Sequence, residues 1–266
     1  MTPAWQDEPA DALLTSALHV RTLGTGPPLM LVHGGLPPRW TWAHQLELET
    51  DWQLMIPSRR GFFPSPVAPS QDLLVDADDL EELLAQVSGG AHLVGFSYGG
   101  LGMCIAATRL PPQVRSLTLI EVPLWTASGG DESVQQLAAV AEHFARGVHD
   151  ARTEQEFYTM AGIDSTILGS TDAEIHQAMA LARKFRSPWE ANPRFDRIVE
   201  AGIPVLVVSG DHNPAMEVVC DAVAHRLCGG RACLPGAGHA VQRAPVFNGV
   251  LTAFLTAAER RRNSGQ

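Results

Sequence analysis

Lysine is nearly absent from this 266-residue chain. It occurs once, at Lys184, and with arginine supplies only 19 cationic residues against 29 aspartates and glutamates. The resulting formal charge of −10 disfavours nucleic acid and anionic membrane surfaces as partners. Long apolar runs are also missing, so no segment reads as a bilayer-spanning helix. The stretch Met1 to Glu8 is acidic and lacks a basic region followed by an apolar one, so no secretory signal is visible and a cytoplasmic location is expected. The four cysteines, Cys104, Cys220, Cys228 and Cys233, form no Cys-x-x-Cys pair. That spacing argues against a zinc ribbon and predicts reduced packing residues. Neither a metal nor an organic cofactor is implied. The scarcity of lysine beside abundant arginine, alanine, glycine and proline is the bias of a GC-rich bacterial genome and carries no chemistry.

What is present is an ordinary globular balance, 45% apolar and 18% charged, in a chain long enough for one large α/β domain. Buried-strand patterns are expected at Leu18–Leu23, Leu29–Val32, Trp52–Pro57, His92–Val94, Val114–Ile120, Ile203–Val208 and Ala232–Leu234. The turn residues Gly24 to Pro28 suggest that the first two of these form a hairpin. Helical spacing is expected over Trp40–Glu49, Asp76–Val87, the stretch after Ser97 up to Arg109, Met216–Leu227 and Pro245–Arg260. Between about residues 124 and 200 the strand rhythm lapses into three helical patterns, Val134–Phe144, Glu154–Met160 and Ala173–Phe185. This reads as an inserted helical cap dividing a core of residues 1–123 and 201–266. Alternating strands and helices predict a doubly wound, mostly parallel sheet with its ligand site at the carboxyl ends of the strands.

At that edge the most informative motif is Gly95-Phe96-Ser97-Tyr98-Gly99, fed by an apolar strand and followed by a small-residue helix. A serine in so sharp a strand-to-helix turn is a nucleophile elbow, and only small neighbours fit beside it. The helix that starts there aims its free N–H groups where an oxyanion would form. His239, in the glycine-rich loop Gly236-Ala237-Gly238-His239, is the candidate base. The oxyanion donors are expected to be the N–H of Tyr98 and one from the His33-Gly34-Gly35-Leu36 loop, Gly35 before Leu36, with His33 as a structural anchor of that loop.

The order of strand, His33-Gly34-Gly35, elbow serine, cap, acid and late histidine resembles the α/β-hydrolase superfamily over nearly the whole chain. In many members of that family the acid is the second one of Gly-Asp-x-Asp, but here Gly210-Asp211-His212-Asn213 places Asn213 there. Asn213 cannot stabilise an imidazolium by charge. Two carboxylates remain: Glu121, just after a buried strand and at the location some branches such as haloalkane dehalogenases use, and Asp211, whose other role would be to shape the turn. Glu121 is preferred, with Asp211 as the alternative. Trp125 and Arg59 are candidate substrate-binding residues, although bonding loop carbonyls is the preferred role for Arg59.

The resemblance implies an α/β-fold Ser-His-acid hydrolase acting on a small or medium, largely apolar ester, thioester or lactone. A carbon–carbon bond hydrolase, a non-hydrolytic lyase, acyl transferase or perhydrolase, and a ligand-binding receptor are the rival readings. The expected partner is a small-molecule substrate, with no nucleic acid or membrane; a homodimer is compatible with the sequence.

Overall fold

The computed structural model describes residues 18–67, 71–145, 155, 157–159 and 170–264. Among these, seven strands make one sheet: β1 (Val20–Leu23), β2 (Pro28–Val32), β3 (Gln53–Pro57), β4 (Ala91–Phe96), β5 (Val114–Ile120), β6 (Val205–Ser209) and β7 (Gly230–Cys233). Their order is β1-β3-β2-β4-β5-β6-β7. Every pairing is parallel except that of β1 with β3. The hairpin expected between β1 and β2 is therefore absent. β3 lies between them, opposing Leu29 with Leu54 on one side and Arg21 with Ile56 on the other. The reason is burial: Leu54, Met55 and Ile56 are all sealed from solvent, which suits a strand covered on both faces and flanked on both edges.

Period-two alternation sorts each strand between two cores. Met30, Val32, Met55 and Leu93 face one apolar cluster, Leu29, Leu31, Leu54, Ile56 and Val94 the other. Helices α2 (Leu73–Ala85), α3 (Gly99–Arg109) and α7 (Pro214–Arg226) pack on the first face. On the second lie α8 (Phe247–Ser264) and the segment formed by α1 (Pro38–Trp42) with the 3₁₀ turns Ala43–Thr50, where a longer helix was expected. α2 starts at Leu73 rather than at Asp76 because the Asp72 carboxylate caps it, accepting from the N–H groups of Leu74 and Val75. Between β5 and β6 come α4 (Glu132–Ala145), α5 (Ala173–Ala182) and α6 (Phe195–Glu200). Of the helix expected at residues 154–160, residues 155 and 157–159 are described and are helical; 154, 156 and 160 lie outside the described residues. No described helix is long and apolar enough to cross a membrane. Of the cysteines, Cys104 and Cys220 are buried as expected, whereas Cys228 and Cys233 are exposed at and beyond the ends of α7 and β7 and do not serve as packing residues.

Below the carboxyl edge of the sheet a buried ion pair ties three segments together. Arg59, just after β3, is 1% exposed, and its guanidinium Nε donates to Asp76 of α2 at 2.9 Å while Nη1 donates to the carbonyl of Gly34 at 2.7 Å. The backbone N–H of Arg59 donates to Nε2 of His33 at 3.0 Å. His33 Nδ1 lies 2.7 Å from the carbonyl of Leu36, so the neutral ring carries its proton on Nδ1 and accepts at Nε2. Burial first, and then the Arg59 charge, hold the His33 pKa well below the usual histidine range, which preserves that tautomer. His92, the second residue of β4, is buried against Ser116 and Glu259 and is pushed by burial to about 4.

Two outcomes are expected. Asp76→Ala strands the Arg59 charge in the core and costs about 3–5 kcal/mol in urea unfolding, where a loss under 1 kcal/mol would mean the pair does not anchor the loop. Because His33 and His92 are neutral in the folded protein and protonate near 6.5 when unfolded, the unfolded state binds more protons below that pH. Stability therefore falls on acidification, by about 2 kcal/mol between pH 6.5 and pH 5.5, and a flat urea midpoint over that interval contradicts this.

Candidate active site

Ser97 follows β4 with φ 50°, a left-handed backbone that a non-glycine residue adopts only under constraint. The constraint comes from both sides. The Ser97 N–H donates to the Ile120 carbonyl at 2.9 Å, prolonging the ladder, and α3 starts two residues later. A Cβ on Gly99 would stand 1.9 Å from the His33 carbonyl oxygen, so only glycine lets the elbow and the His33 loop meet.

Glu121 repeats the device one strand over. It follows β5 with φ 49°, and its N–H donates to the Val208 carbonyl at 3.0 Å. Its side chain is wholly buried and points across the ends of β5 and β6, where Oε1 accepts the N–H of Gly210 at 2.8 Å. Oε2 is turned toward two imidazoles, lying 3.7 Å from His239 Nδ1 and 3.5 Å from His212 Nδ1. Burial pushes the Glu121 carboxyl up, but the facing imidazoles of His212 and His239 outweigh it and hold the group at about 2. It is an anion in any working buffer.

His239 sits on the loop after β7, reached through Gly236 and Gly238, both at positive φ. The Gly238 N–H donates to the Gly210 carbonyl, and a Cβ on Gly210 would collide with the Gly238 oxygen at 1.9 Å. Gly210 thus holds the acid with its N–H and the histidine loop with its carbonyl. His239 Nε2 reaches Ser97 Oγ at 3.1 Å, and the ring leans on Phe96 with centroids 4.9 Å apart. Serine, imidazole and carboxylate stand in line, a geometry that can draw the hydroxyl proton onto Nε2 while the carboxylate steadies the resulting imidazolium.

The other sequence candidates separate. Tyr98, Gly35 and Leu36 line the same cavity as Ser97, and Tyr98 is the N-cap residue of α3, so its N–H has no intrahelical acceptor. Trp125 lines it as well. Arg59 does not: its guanidinium is spent on Asp76 and Gly34 beneath the loop, so the expectation of a substrate-binding role is corrected to a support. Asp211 is exposed at positive φ, away from the cavity lining, and its N–H bonds Glu217 at 3.0 Å, the behaviour of a turn residue. Asn213 caps α7 through the N–H of Ala215.

His212 is a site residue that sequence reasoning passed over. Its only signal was adjacency to Asp211 and Asn213, and a lone histidine in a turn carries no motif. Its side chain is 10% exposed, and its edge faces the His239 ring with centroids 5.2 Å apart.

The cavity above these groups holds about 380 Å³ and is walled by apolar side chains from the segment between β5 and β6, among them Trp125, Leu137, Phe144, Tyr158, Met179 and Phe185. Tyr98 pins that wall to the elbow. Its ring stacks on Phe185 at 4.2 Å, and its hydroxyl donates to the Arg186 carbonyl at 2.9 Å.

Comparison with known proteins agrees with this architecture. Residues 29–247 match the alpha/beta hydrolase family. No curated protein sequence matches the chain. Among solved structures, the N-acyl homoserine lactonase AidH complexed with N-butanoyl homoserine superimposes with a TM-score of 0.69 at 22% identity, covering 92% of this chain and 96% of that one. The carboxylesterase CesB from Bacillus subtilis gives 0.62 at 16% identity, covering 90% and 87%. A thermophilic esterase from Thermogutta terrifontis gives 0.59 at 23%, covering 92% and 93%. With the elbow, the late histidine loop and the mostly parallel sheet in place, and the match spanning 29–247, the chain belongs to the alpha/beta hydrolase family.

Proposed function

We propose that this protein is a serine hydrolase that cleaves small or medium, largely apolar esters, thioesters or lactones through an acyl-enzyme. The observation that carries the reading is the 3.1 Å contact between His239 Nε2 and Ser97 Oγ at the floor of an apolar cavity. The solved neighbours include carboxylesterases and an N-acyl homoserine lactonase, which supports carboxylic ester and lactone carbonyls as the reacting group.

In this mechanism Ser97 Oγ attacks the acyl carbon as its proton passes to His239 Nε2. Glu121, ionised and fixed by Gly210, orients the ring and stabilises the imidazolium. The N–H groups of Tyr98 and Gly35, with Leu36 as the alternative loop donor, receive the oxyanion, each donor contributing about 10²–10³ in kcat. Collapse expels the alcohol, thiol or ring oxygen, which takes the proton back from Nε2. Water then enters, gives a proton to His239, attacks the acyl carbon, and Ser97 leaves reprotonated with release of the carboxylic acid. In this reading the aromatic residues Trp125, Phe144, Tyr158 and Phe185 hold the acyl chain out of water.

A fluorophosphonate probe should label the protein with one adduct by intact mass, and Ser97→Ala should abolish labelling and lower ester turnover by about 10⁶. Glu121→Gln should lower kcat by about 10³–10⁴ with the fold retained, whereas Asp211→Asn stays within about twofold. Labelling that survives Ser97→Ala, or equal losses in the two acid variants, would overturn the assignment. Across p-nitrophenyl esters, butanoyl and hexanoyl chains should exceed hexadecanoyl in kcat/KM, because the cavity holds only about 380 Å³; a rate that climbs with chain length contradicts a bounded pocket.

A further inference from the structure

The charge-stabilising carboxylate of the site faces one imidazole more than proton relay requires. Glu121 Oε1 is satisfied by Gly210, but Oε2 is sealed from solvent between His212 Nδ1 and His239 Nδ1, at 3.5 and 3.7 Å, and makes no hydrogen bond of normal geometry. Both nitrogens of His212 and Nδ1 of His239 are in the same condition. One ligating atom from each of the three residues lies within 4.8 Å of the others. Buried nitrogens and a carboxylate oxygen that converge without partners are costly unless something is shared among them.

We propose that Glu121, His212 and His239 form a binding site for a zinc-class divalent cation, and that the bound ion switches the hydrolase off. The inhibitory half of the proposal rests on the serine hydrolase reading; the binding half does not. Two imidazoles and one carboxylate are donors for zinc and its neighbours, whereas calcium and magnesium ask for oxygen. Zinc–nitrogen and zinc–oxygen bonds of about 2.0–2.2 Å place two ligands of a tetrahedral ion roughly 3.3–3.5 Å apart. The two edges that meet at Glu121 Oε2 already measure 3.5 and 3.7 Å. The remaining edge, between the imidazoles, lies within 4.8 Å. His212 lines the substrate cavity, which supplies the entry path and a fourth position for water.

The switch follows from the chemistry of one ring. For catalysis the neutral His239 carries its proton on Nδ1, toward Glu121, and offers the Nε2 lone pair to Ser97 Oγ at 3.1 Å. An ion bound through Nδ1 needs the lone pair on that nitrogen, so the ring's single proton moves from Nδ1 to Nε2 and occupies the pair that Ser97 would use. There it donates to Ser97 and cannot accept from it. The ring keeps one proton in both states, no bond in the protein is broken, and removal of the ion restores the base. The acyl pocket is untouched, so inhibition appears in kcat rather than in KM.

Zinc binding is measured first by calorimetry on Ser97→Ala, which reports affinity without turnover. One ion per chain is expected, with affinity at least about tenfold weaker when His212→Ala or the bulkier His212→Gln is added. Inhibition of the parent by zinc chloride should lower kcat at constant KM and reverse with EDTA. The same two His212 variants, each normalised to its own metal-free rate, should need at least about tenfold more zinc. No binding, or binding as tight in a folded His212 variant as in the parent, overturns the proposal and assigns any heat to surface groups such as the exposed Cys228 and Cys233. Binding that depends on His212 in a protein that turns over no ester leaves the metal site standing and removes the hydrolase reading; ester turnover indifferent to zinc does the reverse.

Discussion

The site depends on a single constraint, the parallel ladder of β4, β5 and β6 running one residue beyond each strand before the chain turns. Ser97 donates to Ile120 and Glu121 donates to Val208, so the two residues are held at one level on adjacent strand ends. Each then takes a left-handed backbone, as does Asp211 after β6. Such a conformation costs about 1–3 kcal/mol in a non-glycine residue. It persists because ladder bonds on one side and packed helices on the other leave the chain no alternative path. The same strain that exposes the serine hydroxyl aims the Glu121 carboxylate sideways, across the sheet, to the loop that carries His239.

Around that edge the chain uses glycine where two backbones must touch and buried charge where loops must not move. Gly99 admits the His33 carbonyl, and Gly210 joins the acid to the histidine loop through both of its backbone groups. Arg59 and Asp76 do the complementary work below the loop from His33 to Leu36. A buried ion pair is a weak source of net stability, but once in place it penalises any arrangement that separates it. Its reach from β3 to α2 and to the Gly34 carbonyl makes the loop's position a property of the core. His33 completes the anchor as a neutral ring whose two nitrogens have opposite roles, one accepting from Arg59 and the other facing the Leu36 carbonyl.

The apolar wall over the site is tied to Ser97 by the residue next to it in sequence. Tyr98 stands at the N-cap of α3 and sends its ring outward, stacked on Phe185, with its hydroxyl on the Arg186 carbonyl. Its hydroxyl also accepts the N–H of Leu73 at the start of α2. One side chain therefore joins the apolar wall, the elbow and the start of α2.

The sequence by itself determined the alternation of strands and helices, the serine elbow and the order in which histidine and acid follow it. These rest on contacts between near neighbours: period-two burial, small residues at a sharp turn, and glycines beside a loop histidine. Tertiary structure decided the rest. β3 displaced the expected hairpin because strand order depends on which edge a crossover returns to, and that is set by burial on both faces. Arg59, a residue beside a turn in the sequence, became a core strut because Asp76 lies across from it on α2. Glu121 rather than Asp211 meets His239, and His212 joins them, because the direction of a side chain at a strand end is set by the φ of that residue and by the register of its neighbour. Both carboxylates follow strands in the chain; only the packed sheet distinguishes the one that is buried against an imidazole from the one that turns to water.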